Sequence, residues 1–555
     1  MFRRLLFPVV AVSLCLATSS ASPRADTPAA TDEAVQRYVP LLKDSDPLVR
    51  KRAALALKRL GTKAKSAIAA LEDALTDKDA EVRTAVAAAL EAIDPTGQPV
   101  REISVPPIRR TTEPPPAAPL DAKPLTGRPA SEGRLPLGRY YQGAKRPPSI
   151  LVARTTGEDH WRRLQPGTVV FTGDRLVSLP GYASEIRLEN GLRLLLRGHL
   201  REFSLFPEMD YLQECAILLH PGEGVDTDLT LERGRLFLSN HGDKVRQVRL
   251  RFAGQVWGLT LQPEAEVVLD LLKRYRGDVQ YREGEEPVAT LHLMVLRGNA
   301  GLAAERRQYP ELSAPPGPAY FTWDNKGGGL RGPVKVEKVP PFFGKILPVD
   351  PANREGEKMD LALQQLSKRM VADREPAVVL QEVLQNNDLP QHMLAIYCLG
   401  ALDDVKTLLA ILADPDPIHA PDRDTAIFTL RRWLGRDARR GLLLFDEQHQ
   451  TGLLLADNKY TPREAQTIFT LLHDFSEEER GNPETYELLA NRLLSDKVAI
   501  AELARWHLWR LSRASGVKLP SLYEFNAAVP RDAAQRQNAA REVKQKIREG
   551  ILPPR

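Results

Sequence analysis

Hydrophobic and polar positions change their rhythm along this chain. Between residues 32 and 95 the apolar positions follow helical spacing. Val49, Ala53, Leu57 and Leu60 make one stripe, and Val82, Val86, Ala89 and Ile93 make another. Between 149 and 302 the period falls to two. Alternating runs at 150–152, 168–171, 183–188, 192–196, 229–231, 235–238, 245–252, 256–261, 266–271, 279–281 and 290–296 predict short strands. Ile186-Arg187-Leu188-Glu189 alternates, Asn190-Gly191 turns, and Leu192-Arg193-Leu194 alternates back. Asn-Gly suits a type I′ turn, because both central residues need positive φ. Arg233-Gly234, between two alternating runs, predicts a second hairpin. From 353 to 550 the helical period returns through Leu361, Leu363, Leu366 and Met370, with further helices expected at 462–474, 483–494, 497–512 and 532–549. The predicted architecture is multidomain α and β: a helical pair, an all-β domain (149–302), and a C-terminal α-solenoid-like domain (353–550).

The first helical region contains an internal repeat. The segment 41–50, LLKDSDPLVR, returns at 74–83 as ALTDKDAEVR, an offset of 33 residues. Each copy runs into an Ala/Leu-rich helix. Asp46 and Asp79 stand where a helix cap is wanted. Arg50 and Arg83 can reach neighbouring aspartates and staple adjacent turns. This pattern resembles the HEAT repeat, which implies antiparallel helix pairs. The stretches at 393–400 and 424–430 look like degenerate second helices of the same kind, offset by 31 residues. A stack of about three repeats is usually needed for a stable solenoid, so two copies bury little by themselves.

Residues 1–21 have the pattern of an export signal. Arg3 and Arg4 precede an apolar run at 5–17, and Ser19-Ser20-Ala21 offers small residues for cleavage after Ala21. The alternatives are lipidation of Cys15, which bulky Leu14 disfavours, and an uncleaved anchor. No later segment has a long uncharged apolar run, so no further membrane span is expected. Residues 96–148 read as a Pro-rich linker, with 12 prolines from Pro99 onward. Nine Arg or Lys against four acids between Pro99 and Pro148 account for the whole net charge of +5. A basic tether of this kind is no nucleic-acid domain, which needs a folded basic face with stacking aromatics. It could cling to anionic envelope polymers, or simply keep a linker solvated. Residues 303–352 read as a Pro/Gly-rich connector. Cys215 and Cys398 fall in segments of different character and are expected as buried hydrophobes.

The β region adds a second resemblance. Val169-Val170-Phe171-Thr172 leads into Gly173-Asp174, the Asn190-Gly191 hairpin follows, and Leu231-Glu232-Arg233-Gly234-Arg235-Leu236 comes later. This order resembles the FecR domain, a bacterial extracytoplasmic β-domain. The resemblance implies binding outside the cytoplasm. The family's route of signalling, through a membrane helix to a sigma factor, has no counterpart here. Asp174 could bind a ligand, but a carboxylate in its own turn more often accepts from local backbone donors.

No residue set points to catalysis, a cofactor or a metal, and no catalytic, cofactor-binding or metal residues are assigned. His160, His199, His220, His241 and His292 are scattered, and His241-Gly242-Asp243 lacks a second close ligand. There is no Gly-x-Ser-x-Gly elbow. Gly327-Gly328-Gly329-Leu330-Arg331-Gly332 lacks the Lys-Ser/Thr of a phosphate loop, and Asp414-Pro415-Asp416-Pro417 lacks calcium-loop spacing. Trp506 and Trp509 fit a helix core, and Trp161 and Trp257 are core positions that could alternatively stack on sugars. The expectation is a non-catalytic binding scaffold of the cell envelope, exported to the periplasm or beyond, with protein partners. The alternatives are a polysaccharide- or cell-wall-binding module, and a hydrolase with an unrecognised site in the β-domain.

Overall fold

The structure is a computed structural model. It describes residues 35–36, 38–44, 47–77, 79–93, 134–142, 148–200, 213–275, 281, 284–340, 343–344, 354–371, 374–416, 419–456, 459–514, 516–519, 522 and 533–553. The export-like segment, Asp46 and most of the 96–148 linker lie outside the described residues. The chain divides into two compact units, Met1–Thr112 and Glu113–Arg555.

The first unit contains α1 (Pro47–Leu60), α2 (Ile68–Ala74) and α3 (Ala80–Ile93). Ala53 and Leu57 of α1 meet Val82, Val86, Ala89 and Ile93 of α3 around Leu71. Gly61, at φ +54°, follows α1 in the left-handed conformation that ends many helices. Asp79 caps α3 by accepting from the Val82 N–H at 3.1 Å. The predicted staple is present: Arg50 donates to Asp77 Oδ1 at 2.8 Å and to the Asp44 carbonyl at 2.8 Å. Arg83 donates to the Asp77 carbonyl at 2.6 Å. The arginine of the first copy thus holds the turn of the second.

The second unit begins with β-structure: β1 (Pro136–Tyr141), β2 (Leu151–Thr155), β3 (Arg162–Arg163), β4 (Val169–Phe171), β5 (Asp174–Ser178), β6 (Ala183–Leu188), β7 (Leu192–Arg197), β8 (Cys215–His220) and β9 (Thr227–Asn240). It continues with β10 (Arg246–Phe252), β11 (Gln255–Leu261), β12 (Glu266–Arg274), β13 (Val288–Arg297), β14 (Asn299–Ala304), β15 (Arg307–Ser313), β16 (Gly317–Asp324) and β17 (Gly329–Val336). One sheet runs β4-β1-β6-β7-β9-β12-β13-β16-β17. The other runs β3-β2-β5-β8-β9-β10-β11-β14-β15. Every pairing is antiparallel except β9 with β10. Phe252 meets Trp257 of its own sheet edge-on at 4.7 Å and Trp323 of the opposite sheet at 5.2 Å, which joins the layers.

β9 belongs to both sheets, which corrects the hairpin expected at Arg233-Gly234. Its first half pairs with β8 and β10, and its second half with β7 and β12. The chain bends at Gly234 instead of reversing. Gly234 has φ +92°, and a Cβ there would lie 2.1 Å from the Glu214 carbonyl oxygen. A bulge of this kind lets a strand change sheets at the corner of a sandwich.

The Asn190-Gly191 hairpin is present, but its turn is not type I′. Only Gly191 has positive φ, at +89°. The Gly191 N–H donates to the Leu188 carbonyl at 3.1 Å, so Glu189 and Asn190 are the central residues. This is a three-residue loop closed by a left-handed glycine. Asn190 is held elsewhere: its amide donates to the Asp226 carbonyl at 2.8 Å and its Oδ1 accepts from the Leu192 N–H at 3.1 Å. Strands also extend on both sides of 149–302, with β1 inside the expected linker and β15 to β17 inside the expected connector. Tyr281, expected in a strand at 279–281, lies outside any strand.

The helical part comprises α4 (Arg354–Arg369), α5 (Pro376–Val383), α6 (Leu389–Ala401), α7 (Val405–Leu412), α8 (Ala420–Leu434), α9 (Arg439–Leu444), α10 (Pro462–Leu471), α11 (Glu477–Gly481), α12 (Pro483–Arg492), α13 (Val498–Ala514) and α14 (Ala533–Arg548). α4, α6, α8 and α13 pack in succession, flanked by α5, α7, α10 and α12. The multidomain α and β architecture is therefore present.

The strands and this helical array share one core. Ile150, Val152, Val177, Leu179 and Tyr182 join Leu363, Leu366 and Leu394 in a single buried cluster. The end of α6 is plugged into the β layers. Helix C-termini leave carbonyls without intrahelical donors. Here Arg436 donates to the Gly400 carbonyl at 2.8 Å, Arg233 to that of Ala401 at 3.0 Å, and Trp161 Nε1 to that of Leu402 at 2.9 Å. Both arginines also pair with buried Glu214, Arg233 at 2.6 Å. Burial pushes the Glu214 carboxyl up, but Arg436 and Arg233 outweigh it and hold it at about 2.

Candidate ligand cleft on the helical array

α10 begins with a capping box. Thr461 accepts from the Glu464 N–H while Glu464 reaches back to the Thr461 N–H, and Pro462 sits in the first turn. Ala465, Ile468, Phe469 and Leu471 turn inward. Arg463, Gln466, Thr467 and Thr470 are left on the outer face.

Two adjoining hollows open along that face. The first, about 250 Å³, is lined by Tyr281, Phe445, Gln466, Phe469, His473 and Asp474 among others. The second, about 430 Å³, shares Phe445, Glu447, Gln466, Thr470 and Phe475 with it and extends over Pro462, Leu471 and Leu488. Because they share walls, they form one cleft.

His473 is the most constrained group in it. Its Nδ1 lies 2.8 Å from the Phe469 carbonyl, so that nitrogen carries the proton. The ring stacks on Tyr281, with centroids 3.8 Å apart and planes 23° apart. Burial pushes its pKa down to about 4, so the ring is neutral near pH 7 and Nε2 is an acceptor. Nε2 is buried and meets no hydrogen-bond partner among the described residues, and Gln466 Oε1 is in the same position. A buried unmet acceptor costs about 1–3 kcal/mol. Behind them Asp474 pairs with Arg431 at 2.8 Å and with Arg510. Burial would raise the Asp474 carboxyl, but the two arginines hold it at about 2. Arg431 and Arg510 also lie over the ring of Trp506, at 4.6 and 4.8 Å from its centroid. The arrangement offers aromatic walls, fixed acceptors and carboxylates to a donor-bearing group.

The positions weighed from sequence take other roles. Asp174 is fully buried and accepts from the Phe171 N–H at 2.8 Å, the local turn role, while pairing with Arg134. His241 is exposed in a turn whose backbone N–H donates to the Gly191 carbonyl at 3.0 Å. His160 faces Glu375 at 3.3 Å, His220 faces Thr230 at 2.7 Å, and His292 faces Tyr320 at 2.8 Å, so these histidines do not converge. His199 is buried. Trp161 and Trp257 are both buried. The glycines at 327–329 turn the chain between β16 and β17. Asp414 accepts from the Asp416 N–H at 2.8 Å and pairs with His419, and Arg423 donates to the carbonyls of Asp414 and Asp416 at 2.8 Å each. Cys215 and Cys398 are buried and free. Among the described residues no group of three or more His, Cys, Asp or Glu side chains could hold a metal ion. None of the cleft residues stood out in the sequence. Tyr281 lies far from His473 along the chain, and nothing local marks either.

Residues 21–94 match the HEAT-repeat family. The match covers the first unit's repeat and no part of the strands. No curated protein and no solved structure matches the chain. HEAT repeats suggest a scaffold for protein–protein interaction. Among the described residues no helix is long and apolar enough to cross a membrane.

Proposed function

We propose that this chain is a non-catalytic binding scaffold that works outside the cytoplasm, in the cell envelope, and holds protein partners. The HEAT-repeat match supports protein recognition. Repeat helices offer extended surfaces for other chains. The export reading rests on Arg3, Arg4 and the apolar run at 5–17. The FecR-like order of Gly173-Asp174, the hairpin and the 231–236 element accords with an extracytoplasmic role. The observation that carries the reading is the cleft over α10, with its aromatic walls and the unmet acceptor on His473. Burial of Trp161 and Trp257 removes the stacking surface that a sugar-binding reading needs at those positions.

A photo-crosslinking residue placed at half-buried Thr467, in the wall of the second hollow, tests this in cells. We expect a discrete protein adduct that is absent when the crosslinker stands at Lys544, and that is lost on Leu488→Asp. Equal, diffuse labelling from both positions would count against the reading.

A further inference from the structure

The first hollow of the cleft has a one-sided chemistry. Its polar lining consists of the carboxylates of Glu447, Asp474 and Glu479, the Gln466 amide, the Thr470 hydroxyl and the His473 ring. Among the described residues no cationic side chain lines it; Arg431 and Arg510 pair with Asp474, so Glu447 and Glu479 are the carboxylates that no arginine pairs with among those residues. At about 250 Å³ it is smaller than the roughly 300–1,000 Å³ typical of small-molecule pockets. That size suits one long side chain. His473 is 5 % exposed, with Nε2 aimed at no donor among the described residues.

We propose that the hollow receives a single arginine side chain of a partner polypeptide, with its guanidinium donating to His473 Nε2 and Gln466 Oε1. This inference rests on the protein-binding reading above and names the chemistry of the partner. A guanidinium is planar, stacks on aromatic faces and is weakly hydrated. Tyr281, Phe445 and Phe469 supply such faces. An ammonium is a strongly hydrated point charge and loses more on entering. Glu447 at the exposed rim steers a cation inward. The second hollow then takes the flanking residues over Pro462, Leu471 and Leu488. Arg463 and Arg492 also line it, so a run of several basic residues is repelled. The preferred segment is one arginine between apolar residues.

The test uses the full chain and two fluorescent pentapeptides, one with a central arginine flanked by leucines and one with neutral, near-isosteric citrulline in its place. Fluorescence polarisation should show the arginine peptide binding about tenfold more tightly, the size of one charge-assisted hydrogen bond. Glu447→Gln should weaken the arginine peptide by about three- to tenfold and leave the neutral citrulline peptide unchanged, whereas Gln466→Met should weaken both, because the citrulline ureido group also donates, with the larger loss for arginine. Both positions tolerate these near-isosteric changes, so loss of fold does not confuse the result. Equal affinity for the two peptides, lost together on Leu488→Asp, would overturn the arginine assignment and leave the protein-binding reading standing. No binding of either peptide, with no adduct from Thr467, would overturn both.

Discussion

Arg233 and Arg436 close the C-terminus of α6 in place of the usual glycine cap; both also pair with Glu214, and Arg436 pairs with Asp403 at 3.2 Å. Such buried pairs are weak as a net source of stability, and loss of Arg436 leaves Glu214 with Arg233 and Asp403 with Arg440 while stranding the Gly400 carbonyl. Arg436→Met should therefore lower unfolding free energy by about 1–3 kcal/mol, read from the urea midpoint. A change below about 1 kcal/mol would mean that the seam is solvated, as surface pairs are. Gly234 is constrained by backbone in two ways, its positive φ and the Glu214 carbonyl at 2.1 Å from a Cβ position. Gly234→Ala should cost at least about 1–3 kcal/mol, and should lower hydrogen-exchange protection first in β8 and β9. In the first unit Asp77→Ala removes the acceptor of Arg50 and of the Asp79 N–H. Exchange in α1 and α3 should rise together in that variant, because one carboxylate joins both repeats.

Elements were more legible than their connections. The strands at 183–188, 192–196, 256–261 and 266–271 lie within the observed β6, β7, β11 and β12; the first three alternate in burial along the strand, while 266–271 is buried throughout. The 31-residue echo of 393–400 in 424–430 marks α6 and α8, which do pack together. β8 was not legible: Cys215-Ala216-Ile217-Leu218-Leu219 is apolar throughout, so no period of two appears. β15 and β17 were hidden by Pro and Gly, and both are largely exposed. Arg233-Gly234 carried a turn signal, but Gly234 answers a close backbone approach from Glu214. The cleft was beyond reach from sequence because it depends on Tyr281, α10 and the residues after α10 meeting in space. His473 carries no local mark, since its neutral tautomer is set by the Phe469 carbonyl and its burial by Tyr281.

At the scale of the second unit, the strands and the C-terminal helices are one body. They share a core that includes Ile150, Tyr182, Leu363 and Leu394. The pH response should follow from the same burial. Burial pushes His473 down to about 4 and His199 and His507 to about 3, from an ordinary value of 6.5. These rings stay neutral in the folded protein while the unfolded chain takes up protons below about pH 6.5. The depressed folded values mean that stability is complete above pH 6.5 and declines as pH falls toward 4 and then 3. Each ring contributes a slope of about 1.4 kcal/mol per pH unit within its window. Urea midpoints should hold from pH 7.5 to about 6.5 and fall steadily from there to 4.5, and a flat profile below 6.5 would contradict the neutral, buried assignment.

The central claim is that the β layers and the helical array are a single cooperative body built around the end of α6. Hydrogen exchange on the full-length Arg436→Met variant tests it most directly. Protection should fall by the same free energy in β12, β13 and α13, although only the seam was altered. A loss confined to α6 and α9, with β12 and β13 unchanged, would show two independently stable parts and contradict it.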